Sequence, residues 1–88
     1  MDVELFKSRF GGNRMKAMID YSIASGWMTY DELFAVGQKN SLKKNPSDTR
    51  HAIKRLIIYG FLEAHPKKGL RYNKSFIPID QRPLLKTV

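Results

Sequence analysis

Residues 45–62, NPSDTRHAIKRLIIYGFL, constrain what this chain can fold into more than any other stretch. Asn45 offers a side-chain oxygen to the free N–H groups of a helix start, and Pro46 at the first helical position loses nothing by lacking a donor. Asp48 falls in the first turn, where a negative charge complements the helix dipole. Placing residues about 100° apart puts Thr49, Ile53, Leu56, Ile57 and Gly60 on one face, which predicts a core contact. The opposite face carries Ser47, Asp48, His51, Lys54, Arg55 and Ile58, with Arg50 at its flank. Gly60 predicts the stop. The spacing therefore predicts a helix over 45–59 with an apolar inner face and a basic outer one.

The charge balance sharpens the question of what that outer face meets. The 88-residue chain has a formal net charge of +8. Residues 1–37 hold four basic against five acidic side chains, a net of −1, and residues 38–88 hold twelve against three, a net of +9. An excess confined to one half points to an anionic partner met by one surface, with nucleic acid the commonest. The competing reading is a solvated face that keeps a small domain soluble.

Eighty-eight residues suffice for a single modest core. The absence of cysteine removes disulfides and thiolate metal sites and suits a reducing compartment. No apolar run approaches the roughly 18 residues that span a bilayer. MDVELFKSRF places acids where a secretory signal has basic residues. A soluble, cytoplasmic protein without membrane contact is expected.

Elsewhere the pattern is mainly helical. Val3, Leu5, Phe6 and Phe10 fit a short helix within an N-terminal extension, residues 1–12, that ends at Gly11-Gly12. That Gly-Gly pair reads as a turn, since no Gly-Lys-Ser/Thr follows it as in a phosphate loop. Asn13 is a candidate N-cap for a helix to about Ser25, with Met15, Met18, Ile19, Ser22 and Ile23 on one stripe and Gly26 as terminator. Trp27-Met28 reads as a short extended piece. Thr29 and Glu32 have capping-box spacing, so another helix begins near Tyr30, with Leu33, Phe34 and Val36 inward. QKNSLKK, residues 38–44, reads as a connecting loop. Beyond Gly60, residues 61–65 and 70–76 read as strands joined by Pro66-Lys67-Lys68-Gly69, with Leu62 and Ala64 able to share a face with Leu70 and Tyr72. The tail, IPIDQRPLLKTV, has two prolines and no clear period. It packs on the domain, reaches a partner or stays loose.

The order of helix, short strand, capped helix, basic helix and basic-tipped hairpin resembles the winged helix-turn-helix domain of small transcriptional regulators. The resemblance covers about residues 12–76 and is carried above all by TRHAIKRLIIYGFLEAHPKKGLRY, which looks like that family's recognition helix, its exit into a strand, and its wing. It implies an α+β, mainly α fold with three core helices and a C-terminal β-hairpin, a domain over 13–76 and a tail over 77–88. It also implies sequence-specific binding of double-stranded DNA, with helix 45–59 in the major groove and wing 61–76 on the backbone or minor groove. The DNA-binding residues it implies are Ser47, Asp48, Arg50, His51, Lys54 and Arg55 on the helix, and Lys67, Lys68 and Arg71 on the wing. A transcriptional or DNA-maintenance regulator acting as a homodimer, with no cofactor, is the expected function. Two features depart from the family pattern. The loop between helices two and three exceeds the usual three or four residues, and Ile58 stands where a polar residue is usual.

The chemistry of the residues leads to the same placement. A helix fits the major groove, Arg50 suits bidentate contact with guanine, and Lys54, Arg55 and the hairpin lysines suit phosphates. Asp48 serves as a dipole residue or as an acceptor from cytosine. Trp27 and Tyr72 are core residues or stacking platforms. Ile58 marks a protein interface or is an isolated exposed side chain. His51 lacks the partners of a metal site, with His65 the one other histidine. No nucleophile with a base, carboxylate pair or complete phosphate loop suggests an enzyme. The alternatives to DNA binding are a protein-interaction module that binds an acidic partner through Ile58 and the tail, and RNA binding.

Overall fold

A computed structural model describes residues 3–77; Met1, Asp2 and the tail 78–88, with the readings made of them, lie outside the described residues. Its elements are α1 (Val3–Ser8), α2 (Asn13–Ala24), α3 (Tyr30–Lys39), α4 (Pro46–Ile58), β1 (Leu62–His65) and β2 (Gly69–Tyr72). The fold is α+β and mainly helical, with a C-terminal antiparallel hairpin in a winged-helix-like layout.

The core lies where α2, α3 and α4 meet beneath the hairpin. Met18, Ile19, Leu33, Ile53, Leu56 and Phe61 are fully buried there. The N-terminal helix also contributes, because Phe6 is only 5 % exposed and stacks on Phe61 at 5.6 Å between ring centroids. Phe76 closes the cluster edge-on, 4.8 Å from Phe6 and 5.4 Å from Phe61. Lys7 fastens α1 to α2 through Asp20 Oδ1 at 2.8 Å and also meets Glu4 at 3.2 Å. Its hydrogen bonds to Asp20 and then Glu4 raise the ammonium above its ordinary pKa.

Three helix boundaries follow the expected local chemistry. Thr29 Oγ1 accepts from Glu32 N–H, and Glu32 Oε1 accepts from Thr29 N–H, both at 3.0 Å, completing the capping box of α3. Glu32 Oε2 accepts from the Tyr21 hydroxyl at 2.8 Å, which ties α3 to α2. The Thr29 backbone donor, followed by Tyr21, holds the Glu32 carboxyl below its ordinary pKa, and the same hydrogen bond raises the Tyr21 phenol. Asn45 Oδ1 accepts from Ser47 N–H at 2.9 Å with Pro46 at the start of α4. At the other end Gly60, with φ 84°, reverses the chain so that Gly60 N–H bonds the Ile57 carbonyl and Phe61 N–H bonds the Leu56 carbonyl. This left-handed exit, which glycine adopts without strain, drops Phe61 into the core.

Several expectations shift. Gly12 rather than Asn13 caps α2, without a side-chain hydrogen bond, because the chain enters the helix one residue earlier; Ser25 takes the C-terminal cap position. The buried arc of α4 is Thr49, Ala52, Ile53 and Leu56, so Ala52 replaces the expected Ile57, which lies at the margin. Ile23 and Leu5 are likewise exposed, since neither reaches the inner faces of its helix. Trp27 is not core. Met28 pairs with Leu70 through two 2.8 Å backbone bonds and takes the inward position, so its neighbour Trp27 turns outward by the two-residue alternation of an extended chain.

The hairpin has the register Leu62↔Tyr72 and Ala64↔Leu70, the expected sharing of a face. Its strands are shorter than the sequence suggests. Asn73 donates from its side chain to the Gly60 carbonyl at 3.0 Å and accepts from Ser75 N–H at 3.0 Å, bending the chain before Phe76 can continue β2.

Candidate nucleic-acid interface

The pose of α4 depends on how α3 reaches it across the 40–45 connection. Arg14 on α2 donates to the Lys43 carbonyl at 2.7 Å. Lys44 Nζ donates to the carbonyls of Gln38 and Lys39 at 2.8 and 3.1 Å, and Gln38 Nε2 returns a bond to the Lys44 carbonyl at 3.2 Å. These contacts satisfy the open carbonyl end of α3 and pin a loop that would otherwise let α4 wander. Buried Thr49 then donates its hydroxyl to Gln38 Oε1, while Gly37 lets α3 approach α4 at the same level. Thus the start of α4 is held by the 40–45 connection and by α3.

Held this way, α4 presents Ser47, Asp48, Arg50, His51, Lys54, Arg55 and Ile58 to solvent, as expected from the wheel. They form two stripes. Ser47, Arg50, Lys54 and Ile58 follow helical spacing along the outermost surface. Asp48, His51 and Arg55 lie along the side facing the α1–α2 connection, where with Arg9, Gly11 and Arg14 they line a cleft of about 530 Å³. Arg55 is drawn towards α1, its guanidinium 5.9 Å from the centre of the Phe10 ring. Asp48 stands in the first turn of α4 while Asn45 supplies the side-chain cap.

On the hairpin, Lys67 and Lys68 are exposed at the turn. His65 Nδ1 accepts from both of their backbone N–H groups at 3.1 Å, which fixes the loop that carries them. Arg71 donates to Glu63 Oε2 across the strands at 2.9 Å and lies over the Trp27 ring at 4.4 Å. Lys68 Nζ is 5.7 Å from the same ring, and the His65 ring stands 5.8 Å away. Half-buried Trp27 is therefore a platform for wing cations, with Arg71 already paired on one side.

Sequence reasoning missed Arg14, Lys43 and Lys44, which extend the basic surface beside the start of α4. The signal was present in QKNSLKK, but a basic loop between helices does not reveal that its carbonyls are held by Arg14 twenty-nine positions away.

Among the described residues the ion pairs are Lys7 with Glu4 and Asp20, and Arg71 with Glu63. Arg50, Lys54 and Lys67 have no carboxylate partner there. No helix among the described residues is long and apolar enough to cross a membrane, and no group of three metal-ligating side chains comes together. No family model matches the chain, and no curated protein or solved structure does.

Proposed function

We propose that the protein is a winged helix-turn-helix protein that binds double-stranded DNA sequence-specifically, as a small transcriptional or DNA-maintenance regulator of the cytoplasm acting as a homodimer. In this reading α4 enters the major groove and the hairpin lies on the backbone or minor groove. Arg50 reads a base edge, and Lys54, Lys67 and Lys68 bind phosphates. Ser47 and His51 flank Arg50 as polar groups on the same exposed surface, and a second copy doubles the sequence read.

One observation supports this reading above the others. Arg50, Lys54 and Lys67 project from two firmly braced elements with no carboxylate partner among the described residues. A merely solvated basic face gains from partner carboxylates at helical spacing, which α4 lacks beyond its first turn. Anionic partners are then the groups that neutralise it.

The test is a salt titration of affinity for random and selected duplexes, with single-stranded RNA and an acidic protein as competitors. Neutralising about five to seven phosphates per protomer gives a log–log slope of about −5 to −6. Preferred displacement by duplex supports DNA over the other two partners. A slope near zero on duplex DNA would overturn the reading.

A further inference from the structure

The hairpin carries its lysines on a tip that core packing does not hold. Every residue from 64 to 68 is exposed, and the buried side chains of the two strands, Leu62 and Leu70, lie outside the turn. The far side of the turn is fixed by Gly69, whose φ of 100° and close approach to the Met28 carbonyl only glycine meets without strain. The near side depends on His65. Pro66 has no N–H, so the N–H groups of Lys67 and Lys68 are the first that the turn offers, and His65 Nδ1 accepts from both at 3.1 Å. Similar chemistry opens α4, where Asn45 Oδ1 accepts from Ser47 N–H across Pro46 at 2.9 Å. The two acceptors differ in one respect. An asparagine carbonyl accepts at any ordinary pH, whereas an imidazole accepts only while uncharged, and histidine is the side chain whose charge ordinarily changes between about pH 5 and 8.

We propose that His65 is a positioning residue for the wing: its neutral ring orders the backbone that carries Lys67 and Lys68, and protonation of the ring releases that backbone. Nδ1 accepts only when the ring proton is on Nε2, and a second proton turns the acceptor into a donor that faces two backbone N–H groups. The charged groups around the ring offer little compensation. Lys67 and Lys68 on the turn and Arg71 on β2 are cations, and Glu63, the carboxylate of β1 on this face, already accepts from Arg71 at 2.9 Å. From the segment before α3 the neighbour is the uncharged Trp27, 5.8 Å from the His65 ring between centroids, and its indole also faces Arg71 and Lys68. An imidazolium therefore joins three cations around one indole. Order at the tip matters for binding because a turn already fixed loses less conformational freedom on meeting phosphates than a loose one.

The part played in binding rests on the duplex-DNA reading, whereas the state of the turn is read in the free chain. In the isotope-labelled full chain, the amide resonances of Lys67 and Lys68 should follow the titration of the His65 ring, and their heteronuclear NOE values should fall as the ring is protonated. His65→Asn keeps an acceptor that does not titrate, so both observables should stay constant over the same range. Binding is compared at about pH 8.5, above the range in which histidine ordinarily titrates. There the parent, His65→Ala and His65→Asn carry the same charge, and differences report position rather than electrostatics. His65→Ala should bind a fluorescein-labelled random-sequence duplex about threefold to tenfold more weakly than the parent, the worth of about one net hydrogen bond, and His65→Asn should restore most of that loss. Circular dichroism checks that these exposed-site variants fold. A ring that titrates while the NOE values of Lys67 and Lys68 stay unchanged would overturn the proton-dependent ordering of the turn. His65→Ala binding as tightly as the parent, or His65→Asn binding as weakly as His65→Ala, would overturn the positioning role. A parent that binds no duplex would sink the DNA reading and the positioning role with it, and the amide titration would still decide whether His65 orders the turn.

Discussion

Replacing Gly37 by alanine tests the packing on which the presentation of α4 depends. A Cβ at this position would stand 2.7 Å from Thr49 Cγ2 and 2.9 Å from Met18 Sδ. The thioether can swing aside. Thr49 cannot, because it is β-branched, fully buried and bonded through its hydroxyl to Gln38. Accommodating the methyl group therefore means pushing α4 away from α3, and such overpacking costs about 1–3 kcal/mol. Alanine recovers about 0.8–1.0 kcal/mol in helix propensity over glycine. The net expectation is destabilisation of about 1 kcal/mol, or a fall in Tm of about 4–8 °C for a domain of this size.

Urea and thermal unfolding followed by circular dichroism measure the change, and a second substitution identifies its cause. Thr49→Ser removes the obstructing methyl while keeping the hydroxyl, at a cost of about 0.8 kcal/mol in lost burial. In that background Gly37→Ala should be neutral or stabilising, so the two changes should couple by about 1–2 kcal/mol. If Gly37→Ala alone raised stability by the full propensity gain, α3 and α4 would not meet at this level. The account of how α4 is held would then fail.

Arg50→Ala should lower affinity for a preferred duplex by about 1–3 kcal/mol and flatten discrimination among sites, while Lys54→Ala should weaken all duplexes alike; competition against random DNA separates the two. The Lys67→Ala, Lys68→Ala double variant should reduce the salt slope by about one to two units with stability changed by no more than about 0.5 kcal/mol, since both side chains are exposed at a turn held through their backbone. Trp27→Leu should leave the core intact yet loosen Arg71 and Lys68, seen as weaker duplex binding and broadened Arg71 side-chain resonances. Because Glu32 has a lowered pKa, its contribution to stability is complete above its ordinary value of 4.5 and fades as pH falls through the depressed one. The Tm advantage of the parent over Glu32→Gln should accordingly shrink on acidification below that point, and a gap independent of pH would refute it.

Much of this architecture was written in short-range chemistry. Thr29 with Glu32, Asn45 with Pro46, and Gly60 act on backbone groups within a few residues, so their pattern locates the start of α3 and both ends of α4. The hairpin register was legible for the same reason, since alternation along each strand leaves one pairing that buries Leu62 and Leu70 together. The exposed side chains of α4 could be named because an outer face is the complement of an inner one.

What the sequence could not determine is which of two plausible faces a neighbouring element covers. Ala52 rather than Ile57 is buried because α2, α3 and the hairpin approach α4 from one side, and hydrophobicity alone would choose the larger residue. Trp27 lies under wing cations because Met28 holds the inward side of the bridge to Leu70, a pairing between residues 42 positions apart. Gly37, a residue of low helix propensity, lies inside α3 because its missing side chain lets α3 approach α4. Each outcome depends on a partner distant in sequence, whose position is set only when the whole core closes.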